Sequence, residues 1–311
     1  MDIKGQEVRA YLEGHNIKPE LIDMVIGFRE RYSLDESISN RVAVPQSNYY
    51  GTEVWEMAIA ALLRGENILL SGPKATGKNV LAENLSYVFN RPSYNMSFHV
   101  NTDSSSLIGT DTFEDGMVKL RKGPVYLCAL HGGFGIFDEI NMAKNDAVSV
   151  LHSTLDFRRI IDIPGYEKIV LHEAARFIGT MNYGYVGTKE LNEALVSRFL
   201  VVEMPAVTEE TLIRIISEAF PDLTASALEQ FCGLFLDLQL KANNGEITTK
   251  PVDLRGLMAS IKTIQIGLMP ASAIKMGITN KTFDSFERDI IDDAVLTRIP
   301  NDWKPGDVFR S

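Results

Sequence analysis

The segment Leu69–Leu85, LLSGPKATGKNVLAENL, constrains the fold more than any other part of the chain. An apolar run, NILLSG, precedes a turn bracketed by glycines, and a stretch with helical spacing follows it. Gly72 and Gly77 enclose four residues and Lys78 comes next, which satisfies the pattern G-x-x-x-x-G-K. Glycines let backbone N–H groups converge on an anion, and the helix adds its positive N-terminal end. The segment therefore predicts a strand, a phosphate-binding loop and a helix.

Nine consecutive residues of this loop are the candidate nucleotide contacts: Gly72, Pro73, Lys74, Ala75, Thr76, Gly77, Lys78, Asn79 and Val80. Lys78 is expected to neutralise the terminal phosphates. Asn79 stands where the pattern usually has a Ser or Thr hydroxyl that binds Mg²⁺. Its amide oxygen is a neutral hard ligand that also suits Mg²⁺, directly or through a water. We expect Asn79 to weaken the site without abolishing it; the alternative is a plain strand-to-helix turn whose lysine faces solvent.

Strands and helices alternate through the first two thirds of the chain. Helices are predicted at 53–63, at 78–88 and in AKNDAVSVLHSTLD, and further buried strands in SYNMSFHV, FGIFDEI, RFIGTMN and FLVVEMP. Two hairpins are predicted, EDGMVKLRKG turning at Asp115-Gly116 and RRIIDIPGYEKIVLH turning at Pro164-Gly165. This alternation predicts an α/β fold with a parallel sheet covered by helices on both faces.

Three domains follow from the pattern. Residues 1–34 form a helical pair with a break near Gly14–Lys18, residues 35–206 form the α/β core, and residues 207–311 form a smaller all-helical domain.

Polar side chains stand at the carboxyl ends of two of the predicted buried strands. Asp138 and Glu139 end FGIFDEI, and Asn182 ends RFIGTMN, at the edge where open parallel sheets bind ligands. Asp138 is expected to hold Mg²⁺, Glu139 to polarise the attacking water, and Asn182 to orient that water. The alternatives are solvated carboxylates at a strand end and a turn-forming asparagine before Tyr-Gly.

Two arginines are candidates for contact with the phosphates. Arg198 ends the helix LNEALVSRF, from which it could reach a neighbouring molecule's site more easily than its own. Arginines supplied in this way contribute about 10³–10⁵ in rate. Arg255 lies in the first turn of the helix in VDLRGLMASIKTI, where the helix dipole disfavours a cation and an outside anion would favour one. The alternatives are a dipole contact for Arg198 and an ordinary surface position for Arg255.

Composition excludes some classes of function. The formal net charge of −10 disfavours sequence-independent binding of nucleic acid. Cys128 and Cys232 stand in apolar contexts and are expected to be buried thiols of a reducing compartment. The N-terminus lacks a signal-peptide core, and no apolar run approaches the ~20 residues that span a bilayer. We expect a soluble, cytoplasmic protein without a membrane partner.

The order of these motifs resembles that of the AAA+ ATPases: a phosphate loop, FDE, a sensor-1 asparagine, SRF and a sensor-2 arginine in a helical lid. KGPVYLCALHGGFGIFDEINMAKNDAVSVLHSTLD and ARFIGTMNYGYVGTKELNEALVSRF further resemble the MoxR branch, which includes CbbQ, NirQ and GvpN-like ATPases. The two hairpins stand where this branch has its helix-2 and pre-sensor-1 inserts. The resemblance implies a P-loop NTPase core with ATP and Mg²⁺ as its cofactors.

The resemblance also implies an assembly and a partner. AAA+ proteins form rings, commonly hexamers, so Arg198 would act on the ATP of the next subunit. Members of the MoxR branch remodel or activate a partner protein, often one with a von Willebrand factor A domain, which here would be another chain. Two alternatives remain at this stage: an AAA+ motor acting on DNA in restriction or replication, and a nucleotide-binding scaffold that hydrolyses slowly because of Asn79.

Overall fold

The computed structural model describes residues 3–183 and 191–310. The chain forms two compact units. The first, here called the α/β unit, groups Met1–Pro73 with Gly77–Pro205. The second, here called the helical unit, groups Ala206–Ser311 with the short segment Lys74–Thr76.

The α/β unit contains nine strands and nine α-helices among its described residues. The strands are β1 Ile68–Gly72, β2 Ser93–Ser97, β3 Gly109–Glu114, β4 Met117–Lys122, β5 Phe134–Asp138, β6 Ile160–Ile161, β7 Ile169–Val170, β8 Arg176–Asn182 and β9 Leu200–Glu203. The helices are α1 Ile3–Gly14, α2 Pro19–Arg31, α3 Thr52–Leu63, α4 Lys78–Val88, α5 Ser104–Ile108, α6 Pro124–His131, α7 Asn145–Ser149, α8 His152–Leu155 and α9 Glu193–Val196.

Five strands form one parallel sheet in the order β2-β5-β8-β1-β9. Successive side chains of a strand point to opposite faces, so each strand supplies two apolar layers. In β1, Ile68 and Leu70 join one buried cluster and Leu69 joins another. Helices contribute to both clusters, which confirms the predicted α/β fold with a parallel sheet between helices. Because the strands are parallel, their carboxyl ends share one edge of the sheet.

The N-terminal helical pair belongs to the core of the α/β unit. α1 and α2 are separated at residues 15–18, as predicted. Leu12 and Ile22 are fully buried in the same apolar cluster as Trp55 of α3 and the β1 side chains. Burying a side chain of this size contributes about 1.5–3 kcal/mol. The pair is therefore held to the sheet by apolar packing.

Two details of the sheet region differ from the prediction. FLVVEMP was expected to be a buried strand. In β9, however, Leu200 and Val201 are 51% and 53% exposed, and Val202 is the one buried residue of the strand. The reason is topological, because β9 is an edge strand that pairs with β1 alone. AKNDAVSVLHSTLD is two short helices, α7 and α8. Between them the Leu151 N–H bonds to Val148 three residues back, which tightens the turn.

Both predicted hairpins are present. In the β3–β4 hairpin, Asp115 and Gly116 have φ values of 53° and 78°, as a two-residue turn with both residues left-handed requires. In the β6–β7 hairpin, Gly165 has a φ of 87°. The Tyr166 hydroxyl donates a hydrogen bond to Asp111 Oδ1 at 2.7 Å, which links the two hairpins.

The helical unit is built from α10 Glu209–Ala219, α11 Ala225–Asn243, α12 Leu254–Gln265, α13 Pro270–Gly277, α14 Ser285–Arg298 and α15 Pro305–Val308. They enclose one apolar core that includes Phe231, Phe235 and Ile261. Cys232 is buried in this core and Cys128 in the α/β unit, and both are free thiols, as expected. Among the residues that the structure describes, no helix is long and apolar enough to span a membrane.

Candidate nucleotide-binding site

The loop between β1 and α4 has the curled backbone that an anion-binding loop needs. Ala75 and Gly77 both have left-handed backbone angles, with φ values of 65° and 83°. For Ala75 this conformation costs about 1–3 kcal/mol, a strain typical of functional sites. Gly72 is required for another reason, since a Cβ there would lie 2.6 Å from the Met204 carbonyl oxygen. The loop therefore curls through one left-handed alanine and one left-handed glycine, and Gly72 allows its close approach to Met204.

Lys78 is the first residue of α4, and its side chain is turned back onto the loop. Only 7% of the residue is exposed. Its Nζ donates hydrogen bonds to the carbonyl oxygens of Gly72 at 3.0 Å and Pro73 at 2.6 Å. Burial lowers the pKa of Lys78 to about 8, while the charges of Asp138 and Glu139 act in the opposite direction. The ammonium is thus held within the loop and within electrostatic range of both carboxylates.

The other predicted loop residues differ in exposure. Pro73 and Lys74 are exposed, Thr76 is buried, and Ala75, Asn79 and Val80 are half-buried. Val80 packs against the apolar cluster of the α/β unit. Asn79 is the second residue of α4, in the first turn next to Lys78. Its position on the helix is the one where the loop pattern usually has its metal-binding hydroxyl.

Asp138, Glu139 and Asn182 meet at the carboxyl edge of the sheet. Asp138 is the last residue of β5 and Asn182 is the last residue of β8. In the sheet, Asn182 pairs with Gly72 of β1. The Asn182 side-chain amide donates a hydrogen bond to Glu139 Oε1 at 3.2 Å. Glu139 is exposed and has a φ of 53°, a second left-handed residue without glycine's freedom. The sheet thus brings the predicted acidic pair, the asparagine and the end of β1 onto adjacent strands.

Thr180 also belongs to this group, and the sequence analysis did not find it. Its hydroxyl donates to Asp138 Oδ1 at 2.8 Å and accepts from the Glu139 N–H at 3.2 Å. A signal for it was present in RFIGTMN, where Thr180 is a hydroxyl residue two positions before Asn182 in an apolar strand. Residues i and i+2 of a strand share a face, so Thr180 and Asn182 point to the same side of β8.

Arg198 lies just after α9 and is bound within its own chain. Its Nε donates to the His152 carbonyl oxygen at 3.2 Å, and its guanidinium also contacts the Ala194 carbonyl oxygen. A carboxylate oxygen of Asp156 lies 3.7 Å from Nη2. Arg158 and, to a smaller degree, Arg198 lower the pKa of Asp156. These contacts hold the guanidinium next to α8.

Arg255 belongs to the helical unit. It is exposed in the first turn of α12, and Asp253 caps that helix by accepting a hydrogen bond from the Arg255 N–H at 3.1 Å. Within the described part of the chain, the Arg255 guanidinium makes no hydrogen bond or ion pair.

The residues of this site fit a nucleoside triphosphate with Mg²⁺. A curled backbone, the N-terminal end of α4 and a buried ammonium provide the donors that phosphate oxygens need. Asp138 and Asn79 provide carboxylate and amide oxygens, the ligand types that Mg²⁺ takes beside phosphate. Glu139 reaches solvent, as a group that activates water must.

Comparison with known proteins agrees with this geometry. Residues 67–199 match the family model described as AAA domain, dynein-related subfamily. The uncharacterized protein YojN of Bacillus subtilis is 33% identical over 236 residues, which are 74% of this chain and 77% of that protein. The chain belongs to the AAA-domain family. The matched range runs from the strand before the phosphate loop to the residue after Arg198, so it includes the phosphate loop, Asp138, Glu139 and Asn182.

Two further similar proteins differ in how closely they match this chain. The uncharacterized protein SERP0979 of Staphylococcus epidermidis is 33% identical over 252 residues, 78% of this chain and 94% of that protein. A solved structure from Cytophaga hutchinsonii, described as a "putative ATPase", is 17% identical and covers 95% of this chain and 96% of that chain, with a TM-score of 0.43. At this TM-score the similarity supports no conclusion about function.

Proposed function

We propose that this AAA-domain protein hydrolyses ATP to ADP and phosphate with Mg²⁺, in the manner of the MoxR branch of AAA+ ATPases. One observation carries the proposal. The buried Lys78 begins the helix that follows β1 and its loop, and Asp138, Glu139 and Asn182 lie at the ends of the neighbouring strands β5 and β8 of the same parallel sheet. An anion site and an acidic site side by side are what phosphoryl transfer to water requires.

Each residue then has a defined task. The loop amides and Lys78 bind the β and γ phosphates of ATP. Asp138 and Asn79 would hold Mg²⁺, which would neutralise charge on the phosphates. Glu139 accepts a proton from the attacking water, and the neutral amide of Asn182 fixes the Glu139 carboxylate by the 3.2 Å hydrogen bond. For Arg255, an exposed arginine of the helical unit, the prediction from the sequence stands: a cation for the γ-phosphate.

The assembly that we propose is a homo-oligomeric ring, a hexamer by analogy with AAA+ proteins. In it, Arg198 contacts the ATP bound by the adjacent subunit. The present partners of Arg198 support this proposal, because they are carbonyl oxygens and one carboxylate near α8. A phosphate could replace these oxygens as the acceptor of the guanidinium hydrogen bonds. Release of these contacts would leave the guanidinium free to serve a site in trans.

A protein client fits the surface of the β3–β4 hairpin better than DNA does. Phe113, Met117 and Val118 are 75%, 59% and 62% exposed at its tip, and Phe113 lies opposite Val118. The cations beside them are partly engaged, because Lys119 pairs with Asp115 at 2.8 Å and Lys122 lies over the Tyr126 ring. We therefore propose remodelling or activation of a partner protein, with a von Willebrand factor A domain protein as one candidate.

The experiment that tests the ATPase proposal compares the wild type with Glu139→Gln. Glutamine keeps the size of the side chain but cannot accept the proton, so turnover should fall by about 10²–10⁴ while ATP still binds. Steady-state phosphate release and equilibrium ATP binding measure the two quantities. Glu66→Gln is the matched control, an exposed glutamate of the same unit, and it should leave both unchanged.

Two outcomes would redirect the proposal. Equal and negligible phosphate release from wild type and Glu139→Gln would favour a nucleotide-binding scaffold, the alternative that Asn79 suggests. Salt-sensitive DNA binding at micromolar protein, lost when the β4 cations are replaced, would favour a DNA motor.

A further inference from the structure

Thr180 joins the two carboxylates of the proposed site through a single hydroxyl. The residue is 1% exposed and lies in β8, between β5 and β1. Its Oγ1 is 2.8 Å from Asp138 Oδ1 and 3.2 Å from the Glu139 backbone nitrogen. Asn182 then contacts the Glu139 carboxylate from the same face of the same strand. Both acidic residues are therefore held by β8 side chains.

The directions of the two Thr180 hydrogen bonds are fixed by the chemistry of the partners. A backbone N–H can only donate, so the hydroxyl oxygen accepts from Glu139. The one hydroxyl proton is then left for Asp138 Oδ1, and an ionised carboxylate is the acceptor that it suits best. Thr180 thus occupies one oxygen of Asp138 and leaves the other for a cation.

The Glu139 N–H needs this partner because the sheet no longer provides one. The register of β5 with β8 ends at Phe137 and Gly179, and the side chain of Thr180, the next residue, replaces the backbone ladder. Beyond this point the chain turns sharply, with Glu139 at φ 53° and ψ 46°. A left-handed glutamate costs about 1–3 kcal/mol and persists only where the surroundings hold it. The Thr180 hydroxyl is one of the groups that hold it.

We propose that Thr180 is a positioning residue of the ATPase site. Its hydroxyl keeps the left-handed turn that directs Glu139 toward the attacking water and fixes the orientation of Asp138. The inference rests on the proposed hydrolysis of ATP by this site. Thr180 is 1% exposed, so its effect on the reaction passes through the two carboxylates.

The first test replaces the hydroxyl by a methyl group of nearly the same size. Thr180→Val should lower kcat roughly 10²-fold, the cost of a misplacement of about 1 Å, while KM and ATP affinity change little. Thr180→Ser restores the hydroxyl and should recover most of the lost turnover. Thr279→Val is the matched control, because Thr279 is also 1% exposed and donates to an aspartate, Asp292 Oδ1, at 2.9 Å in the helical unit.

The second test separates positioning from stability. Thr180→Val is combined with Glu139→Gln, and kcat is compared across the four proteins. Because Thr180 is proposed to act in part through Glu139, the effects of the two changes on kcat should be less than multiplicative, so the double variant should turn over ATP faster than the product of the two single effects gives. Effects that multiply fully, or a Thr180→Val kcat equal to wild type, would overturn the inference. If the valine variant does not fold, Thr180→Ala takes its place in the same cycle, because alanine removes the hydroxyl without placing a methyl group against Asp138.

The two proposals fail in different ways. Wild type without phosphate release overturns the ATPase proposal, and the inference about Thr180 with it. Wild-type turnover that is lost in Glu139→Gln but kept in Thr180→Val overturns the inference alone.

Discussion

The two carboxylates at the sheet edge, Asp138 and Glu139, and the arginine Arg198 are held in contrasting ways. Asp138 and Glu139 are fixed by hydrogen bonds with side chains of β8. These bonds lie at the edge of the sheet where β1 ends and the phosphate loop begins. Arg198 is also fixed, but by carbonyl oxygens of its own chain and by Asp156 next to α8. One set of contacts directs the side chains toward the candidate site, whereas the other occupies the guanidinium elsewhere.

This difference separates binding from hydrolysis. A single chain already brings together the groups that we propose bind phosphate and activate water, so ATP binding should need no rearrangement of the sheet edge. The arginine needs a change of partners before it can reach any phosphate. We therefore expect binding to be a property of one chain and turnover to depend on assembly.

Arg198→Ala gives the largest expected effect on this comparison. Loss of an arginine that acts in trans should lower kcat by about 10³ or more, with ATP affinity retained. Phosphate release at several protein concentrations measures the first, and equilibrium binding the second. Arg64→Ala, an exposed arginine after α3, is the control and should behave as wild type.

Mixing of variants tests the direction of the contact. Arg198→Ala protein keeps its phosphate loop, and Lys78→Ala protein keeps its arginine, so a mixed ring contains some complete sites. Partial recovery of phosphate release on mixing would place Arg198 in trans. If the two inactive proteins stay inactive when mixed, Arg198 does not act in trans, and its role is limited to its contacts near α8.

Asn79→Thr gives the smallest expected effect and sharpens the comparison on the binding side. A hydroxyl at this position should lower the Mg²⁺ concentration for half-maximal turnover by up to about tenfold, since metal sites respond on this scale to altered ligands. Asn79→Ala, which removes the ligand oxygen, should raise it. An unchanged Mg²⁺ requirement in both variants would exclude Asn79 as a ligand.

Much of the fold could be predicted because local signals agree with the packing. α4 and β8 have the predicted bounds, since the glycine loop precedes one and a mostly apolar run defines the other. β9 was wrongly expected to be buried because an apolar run, LVV, does not reveal whether a strand has one neighbour or two. Strand order depends on contacts between distant segments, which periodicity does not record.

The candidate site was predicted as a set of residue types, but not as a network. Asp138, Glu139 and Asn182 are polar residues at the ends of apolar strands, and Lys78 follows a glycine loop, so the sequence pattern alone draws attention to them. Thr180 was missed because an isolated threonine suits a strand without any further role. Its importance comes from β5 and β8 being neighbours and from Glu139 being left-handed, and both facts belong to the three-dimensional structure.

The most direct test of the central claim is the binding of ATP with Mg²⁺ to the purified protein, measured by calorimetry beside Lys78→Ala. The account predicts saturable binding by the wild type with a dissociation constant no weaker than about 1 mM, the upper end of ordinary substrate affinities. It also predicts much weaker binding by Lys78→Ala, which lacks the ammonium held in the loop. Failure of the wild type to take up ATP with Mg²⁺, or equal affinity in the two proteins, would contradict it.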